Sequence, residues 1–327
     1  MSGAAAGART LACRLLAHRT VLLIALFAAA LAAAWAAGSG HGAALVARTA
    51  LLALAAASLS FLIGQAGLVS FGHAAPLGIG AYCVLILGEY EVRNILVVLP
   101  AAFAAGAAFA AITGLVALRT RGIYFIMITL AFAQMMFYVA ASLSAFGGDD
   151  GMAIAGRSTF FGDRILRTDT QIAVWAVALL AAGLVLLERI SASRFGLMLR
   201  TGRENEAKLE ALGLDPFRHR LIALALASGI AGVAGAMLAN QVDYVSPSLM
   251  NWHISGELIV MVVLGGAARI SGAVIGAIVV VALDEALAPF TAHWKLGLGL
   301  VIVAAVLLRG ADIGALIGRP AKAPDHG

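Results

Sequence analysis

Apolar runs of about twenty residues recur along almost the whole chain, and they leave few folds open. About 20 apolar residues carry a helix across a bilayer core. On that ruler ten segments qualify: 20–37, 43–63, 66–88, 95–118, 123–145, 170–188, 220–240, 254–268, 271–290 and 294–309. Lipid leaves no backbone group to water, so spans of this length must satisfy their backbone internally, as helices do. The expected fold is an all-α, polytopic transmembrane helix bundle of about ten spans. Segments 254–268 and 294–309 are short and 66–88 is interrupted, so one or more broken or re-entrant elements belong among these three. Charged residues make up only 12% of the 327 positions, against about 25% in soluble domains, and the mean hydropathy is +0.99. No stretch is long and polar enough to form a separate soluble domain.

One stretch breaks the apolar pattern from inside. Residues 64–82, GQAGLVSFGHAAPLGIGAY, hold five glycines, a proline, a glutamine, a serine and a histidine. Glycine costs about 1 kcal/mol and proline about 3 kcal/mol against alanine within a helix. Such a segment belongs inside protein or along a wet cavity, which points to a transport pathway. Gln65, Ser70, Gly72, His73 and Gly78 are its candidate residues. The bland alternative is helix packing for the glycines and a hydrogen-bonded structural role for His73. The same packing role is expected of Gly229, Gly232 and Gly235, and of Gly272 and Gly276. A second glycine cluster (Gly265, Gly266, Gly272, Gly276) leaves an internal repeat open, because paired glycine-interrupted spans can flank a transport path.

Loop charges orient the bundle. The polar stretch 189–220 carries Arg189, Arg194, Arg200, Arg203, Lys208, Arg218 and Arg220, and the turn at 119–122 adds Arg119 and Arg121. Arg9, Arg14 and Arg19 precede the first span, while Arg309, Arg319 and Lys322 follow the last. With ten spans all these regions share one side, which the positive-inside rule makes the cytoplasm. The opposite loop, 146–169, sets four acids against three arginines. That divides the chain into an N-terminal cytoplasmic arm (1–19), a membrane domain (20–309) containing a cytoplasmic loop (189–220), and a cytoplasmic tail (310–327). The bias explains the net charge of +5 better than nucleic acid does. The apolar run 21–37 exceeds a signal-peptide core of about 7–15 residues and is read as a retained first span. On this orientation the glycine-rich segment begins at the cytoplasmic side and folds back through the bilayer.

Enzyme signatures are missing. The sequence holds no Walker A loop, no HExxH and no GxSxG. Cys13 and Cys83 suit neither a disulfide framework nor a metal site, and no cofactor is implied. Intramembrane ionisable residues are functional candidates by default. Arg48, however, can snorkel from a span end, Glu257 can cap a short segment, and Asp284 and Glu285 lie near an outer span end. Thr129 and Gln134 suit interhelical hydrogen bonds. An ion- or proton-coupled secondary transporter would need a paired carboxylate at mid-depth, and these residues form no evident chain. The string GRENEAKLEALGLDPFRHR at 202–220 suggests a water-exposed helix of two or three turns ended by Gly213 and Pro216. That is the form of a docking element for a cytoplasmic partner.

The strings already quoted, with RGIYFIMITLAFAQMMFYVA at 121–140, GGDDGM at 147–152, SRFGLMLRTGRENEAKLEALGLDPFRHRLIALALASGIAGVAGAM at 193–237, VSPSLMNWHISGELIVMVVLGG at 245–266 and SGAVIGA at 271–277, stand in one order over residues 45–310. In this the chain resembles the branched-chain amino acid ABC transporter permeases, specifically the Liv-type M subunits. It departs from them at Phe146, where a threonine is common, and at Ala267, Ala268 and Arg269, where a further glycine is common. The resemblance implies a subunit of the bacterial inner membrane that is not itself an enzyme. Its implied partners are a second homologous permease, two cytoplasmic ATP-binding subunits and a periplasmic substrate-binding protein. It further implies that Arg203, Glu204, Asn205, Glu206, Ala207, Leu212 and Gly213 meet an ATPase. Leucine, isoleucine and valine are the expected solutes, with urea, short amides and aromatic amino acids carried by relatives.

Overall fold

In the computed structural model the described residues form eleven α-helices, and several begin where the sequence provides a polar cap. The structure describes residues 22–33, 40–160, 166–266 and 269–287, with Gly297 and Gly299. The helices are α1 (Leu22–Ala33), α2 (Gly40–Phe61), α3 (Ala74–Glu89), α4 (Ile95–Ala117), α5 (Ile123–Ser142), α6 (Asp169–Ala192), α7 (Arg194–Glu204), α8 (Glu206–Ala211), α9 (Pro216–Val242), α10 (Trp252–Gly265) and α11 (Ile270–Leu287). The Asn94 side chain caps α4 through the Leu96 amide. Thr168 and Gln171 form a reciprocal capping box on α6. Asp215 caps α9, with Pro216 at its first position. Each cap supplies acceptors to amides that have no partner within the helix.

Among the described residues six helices are long and apolar enough to cross a membrane: Gly40–Ala66 (α2 with the turn that extends it), α4, α5, α6, α9 and α11. Three shorter apolar helices, α1, α3 and α10, accompany them. The expected segments 66–88 and 254–268 are thus short helices, as their interruption and length suggested. The segment 294–309, the arm 1–19 and the tail 310–327 lie outside the described residues.

The chain divides into two compact units, Met1–Ala277 and Ile278–Gly327, and the boundary falls within α11. In the second unit the described residues are the last turns of α11, with Gly297 and Gly299. In the first unit, α9 is the central helix, and α3, α4 and α2 lie against it. Its contacts are backbone to backbone. A Cβ on Gly235 would stand 1.7 Å from the Leu77 carbonyl oxygen, one on Gly80 would stand 1.9 Å from that of Gly232, and one on Gly106 would stand 2.7 Å from that of Ser228. Small residues let helices approach this closely where no hydrophobic force drives them together. Gly265, Gly272 and Gly276 do the same between α10 and the start of α11. Both glycine spacings singled out in the sequence are therefore packing devices.

Helix directions follow from contacts at the two ends. Gln241 near the end of α9 donates to the Ala44 carbonyl near the start of α2 at 2.7 Å, so these helices run antiparallel. The strands β1 (Met152–Ala153) and β2 (Tyr244–Val245) pair antiparallel at the same end, Met152 opposite Val245. The opposite end carries the α4–α5 turn, α7, α8 and the start of α9.

Two expectations are corrected. Residues 189–220 are not a loop holding one short helix. The helix α6 runs on to Ala192, α7 and α8 fill most of the interval, and α9 begins at Pro216. Hydropathy misses this because it measures affinity for lipid rather than helicity. The apolar face that places α7 and α8 is small, with Gly196, Leu199, Gly202 and Leu209 buried. Glu257 also does not cap α10. The Asn251 side chain does, accepting from the His253 amide at 3.1 Å.

Candidate functional site

The break between α2 and α3 is a stretch of non-helical chain between two apolar helices. The helix α2 ends in one π turn, Leu62–Ala66, which Gly67 closes in the left-handed region at φ 69°. The amides of Gly67 and Leu68 both return to the Leu62 carbonyl. The chain then runs back along α2. His73 Nε2 and Ser58 Oγ are 2.8 Å apart, and Ser58 lies about six residues before Gly64, roughly 9 Å along the helix. The backbone of Gly72 touches that of Thr129, which is about as deep within α5.

Backbone left open in lipid would be costly, and side-chain hydroxyls meet that demand here. The Phe71 amide donates to Thr129 Oγ1 (3.2 Å), the Gly72 amide to Ser70 Oγ (3.2 Å) and the Ala74 amide to Ser255 Oγ (2.9 Å). Three helices, with Ser70 of the segment itself, thus hold seven residues of irregular chain. π turns interrupting α-helices gather at functional sites, and this one sits at the end of the break that Arg203 of α7 reaches.

The sequence candidates occupy this region unequally. Gln65, Ser70 and His73 are buried. Gln65 Oε1 and His73 Nδ1 are buried without a hydrogen-bond partner, as is Gln134 Nε2 on α5. Gly72 and Gly78 are contact glycines: a Cβ would meet the Thr129 carbonyl oxygen at 2.7 Å and the Met250 side chain at 2.2 Å. None of the five lines either of the two cavities described below. Thr129 was legible as a polar residue on an apolar helix. Ser58 and Ser255 were not, because a lone serine in a small-residue helix carries no distinguishing signal.

The second candidate group stands directly beneath the break. Arg203 Nη1, near the end of α7, donates to the Gly64 carbonyl at 2.7 Å, and its stem lies over Gly67. The carbonyl it meets lies within the π turn. Arg203, Glu204, Asn205, Ala207 and Gly213 are exposed, whereas Glu206 is half-buried. Glu206 accepts from Arg121 and from Arg220, each at 2.5 Å, which joins the α4–α5 turn, α8 and α9. A cavity of about 220 Å³ lies between this ion cluster and residues Ala66, Gly67, Leu68 and Val69.

The two halves of that cluster differ in weight. The side chains of Arg220 and Glu206 are 19% and 24% exposed, while that of Arg121 is 79% exposed. Exposed pairs contribute about 0–1 kcal/mol, whereas removing one partner of a buried pair strands a charge. Glu206→Ala is therefore expected to lower stability by about 1–2 kcal/mol and Arg121→Ala by under about 0.5 kcal/mol. Thermal melts of the solubilised protein check both, and equal losses would contradict this division.

Among the described residues no cluster of three metal-ligating side chains occurs. Cys83 is a half-buried free thiol.

Comparison with known proteins places these features in a family. The family described as "Branched-chain amino acid transport system / permease component" matches residues 42–308. The high-affinity branched-chain amino acid transport system permease protein LivM of Escherichia coli is 28% identical over 274 residues, covering 77% of this chain and 64% of that protein. LivM of Salmonella typhimurium is 27% identical over the same span. The probable branched-chain amino acid transport permease protein LivH of Methanocaldococcus jannaschii is 29% identical over 141 residues, 42% of each chain. No solved structure matches. The chain spans 64% of the length of the LivM proteins it matches. By the extent of the family match, this multi-pass helical chain belongs to the branched-chain amino acid transport system permease family.

Proposed function

We propose that the chain is the membrane-spanning permease subunit of an ATP-driven importer for branched-chain amino acids. A second homologous permease completes the path, two cytoplasmic ATP-binding subunits hydrolyse ATP, and a periplasmic binding protein delivers the solute. In this reading the chain is a transport subunit of a bacterial inner membrane, embedded in lipid and bound to no nucleic acid. The α7–α8 side, the arm 1–19 and the tail 310–327 face the cytoplasm.

The observation that carries this reading, beyond family membership, is the unbroken physical connection from an exposed helical surface to the broken span. Arg203, Glu204, Asn205, Glu206, Ala207 and Gly213 form or support the surface offered to an ATPase. Arg203 reaches from it to Gly64. Closure of the ATPases would move α7 and α8 as a near-rigid body and so displace the turn from which the 67–73 segment departs. Gln65, Ser70, Gly72, His73 and Gly78 are assigned to the moving wall of the pathway.

Affinity purification of the tagged chain from its native membrane is expected to bring down ATP-binding subunits. Proteoliposomes of that complex should then accumulate leucine only with ATP inside and a delivery protein outside. Accumulation driven by an ion gradient, with no ATPase bound, would replace this reading with a secondary transporter.

A further inference from the structure

At the end of the bundle away from α7 and α8, a cavity of about 540 Å³ is lined by Arg93, Gly156, Arg157, Ser158, Arg167 and Asp243, among others. These residues come from the α3–α4 turn, the chain after β1, the approach to α6 and the end of α9. Three arginines and one aspartate are among the residues that line it.

The three arginines play different parts. Arg157 is fully engaged: its Nε donates to Asp243 at 2.8 Å, its Nη2 to Asp169 at 3.4 Å, and its Nη1 to the carbonyls of Leu166 and Arg167. It is a strut. Arg93 and Arg167 make no ion pair or side-chain hydrogen bond among the described residues, and Arg93 Nε is buried without a partner. Gly156, at φ 142°, leaves room for the Arg93 guanidinium, which lies 3.1 Å from where a Cβ would stand. A buried donor without an acceptor costs about 1–3 kcal/mol, and a guanidinium fork matches the two oxygens of a carboxylate.

Asp243 is held there against two local preferences. It is one of two non-glycine residues with positive φ among the described positions (57°). It also sets a negative charge at the C-terminus of α9, where the helix dipole opposes it. Arg157 offsets that cost through Asp243 Oδ2, and among the described residues no side chain bonds Oδ1.

We propose that this cavity is a binding site for a free α-amino acid, whose carboxylate lies on Arg93 and Arg167 and whose ammonium group lies on Asp243. It rests on the proposed function only in taking the occupant to be the transported solute at the delivery face. Binding itself requires neither ATPase nor transport.

The test uses the chain in lipid nanodiscs, with whatever subunits co-purify and no soluble binding protein. Tryptophan emission reads the site, because Trp175 on α6 lies tilted against Phe160 (centroids 6.4 Å apart), the neighbour of the cavity residue Thr159. Leucine is expected to give a saturable change that Trp175→Phe removes. Isovalerate, with only the carboxylate, should bind about tenfold more weakly, and leucinamide, without it, should not saturate. Arg93→Gln and Arg167→Gln should each weaken leucine at least tenfold at unchanged melting temperature. Asp243→Asn should weaken leucine but not isovalerate. Equal binding of leucine and leucinamide, or wild-type affinity in both arginine variants, would overturn the proposal. So would saturation by isovalerate alone, which would assign the arginine pair to another carboxylate. Failure here leaves the ATP-dependence of uptake, measured separately, untouched.

Discussion

Gly235→Ala is expected to remove most of the folded protein from the membrane, although it adds a single methyl group. That methyl would sit 1.7 Å from the Leu77 carbonyl oxygen, a backbone atom with no rotamer in which to escape. The helices α3 and α9 must separate, and the contacts of Gly80 with Gly232 and of Gly232 with the Ala102 carbonyl loosen with them. Overpacking costs about 1–3 kcal/mol where side chains can yield, and the cost here lies at or above the top of that range. Natural stability is only about 5–15 kcal/mol. Gly80→Ala should act through the same helix pair, so the double variant should lose less than the sum of the two singles. Gly88→Ala is the control: it lies on the same helix with nothing within 4 Å of the added carbon. Membrane abundance and melting temperature in detergent are the readouts. A Gly235→Ala protein as abundant and heat-stable as wild type would show that α3 and α9 are not packed backbone to backbone.

The contrast between Gly88 and Gly235 shows what the sequence could and could not reveal. Both are glycines in apolar helices, yet only the facing backbone distinguishes them. Spans were legible because lipid acts on every residue of a run. The expected 95–118, 123–145 and 220–240 correspond to Ile95–Ala117, Ile123–Ser142 and Pro216–Val242. The interruption near Gly64 was legible for the same reason, since its glycines and proline oppose a lipid-facing helix. Its partners were not. Ser58, Thr129 and Ser255 come from three helices, and only the fold brings their hydroxyls to His73 Nε2, the Phe71 amide and the Ala74 amide. Arg93, Arg157 and Arg167 likewise appear in the sequence as unrelated loop charges. Glu206 appeared to be an exposed docking residue, and the two arginines that hold it are remote in sequence.

Arg203→Ala is expected to lower solute transport about tenfold per ATP hydrolysed while leaving assembly and membrane abundance unchanged. The Gly64 carbonyl lies within the one π turn among the described residues, and Arg203 is the side chain that bonds it. Losing one charge-assisted bond from an exposed donor costs stability little, because water replaces the guanidinium; a hydrogen bond contributes about 0.5–1.5 kcal/mol net. A tenfold change in coupling corresponds to about 1.4 kcal/mol, so a bond of this size is sufficient. Arg203→Lys keeps a donor on a flexible stem and should recover part of the loss. Gly67→Ala should reproduce it from the other side, since its methyl would fall 2.9 Å from Arg203 Cγ at a positive φ that L residues disfavour. The measurement is the ratio of leucine imported to ATP hydrolysed in proteoliposomes of the assembled complex. A merely structural role would lower both quantities together. An unchanged ratio in both Arg203→Ala and Gly67→Ala would remove Arg203 from the path between α7 and the broken span.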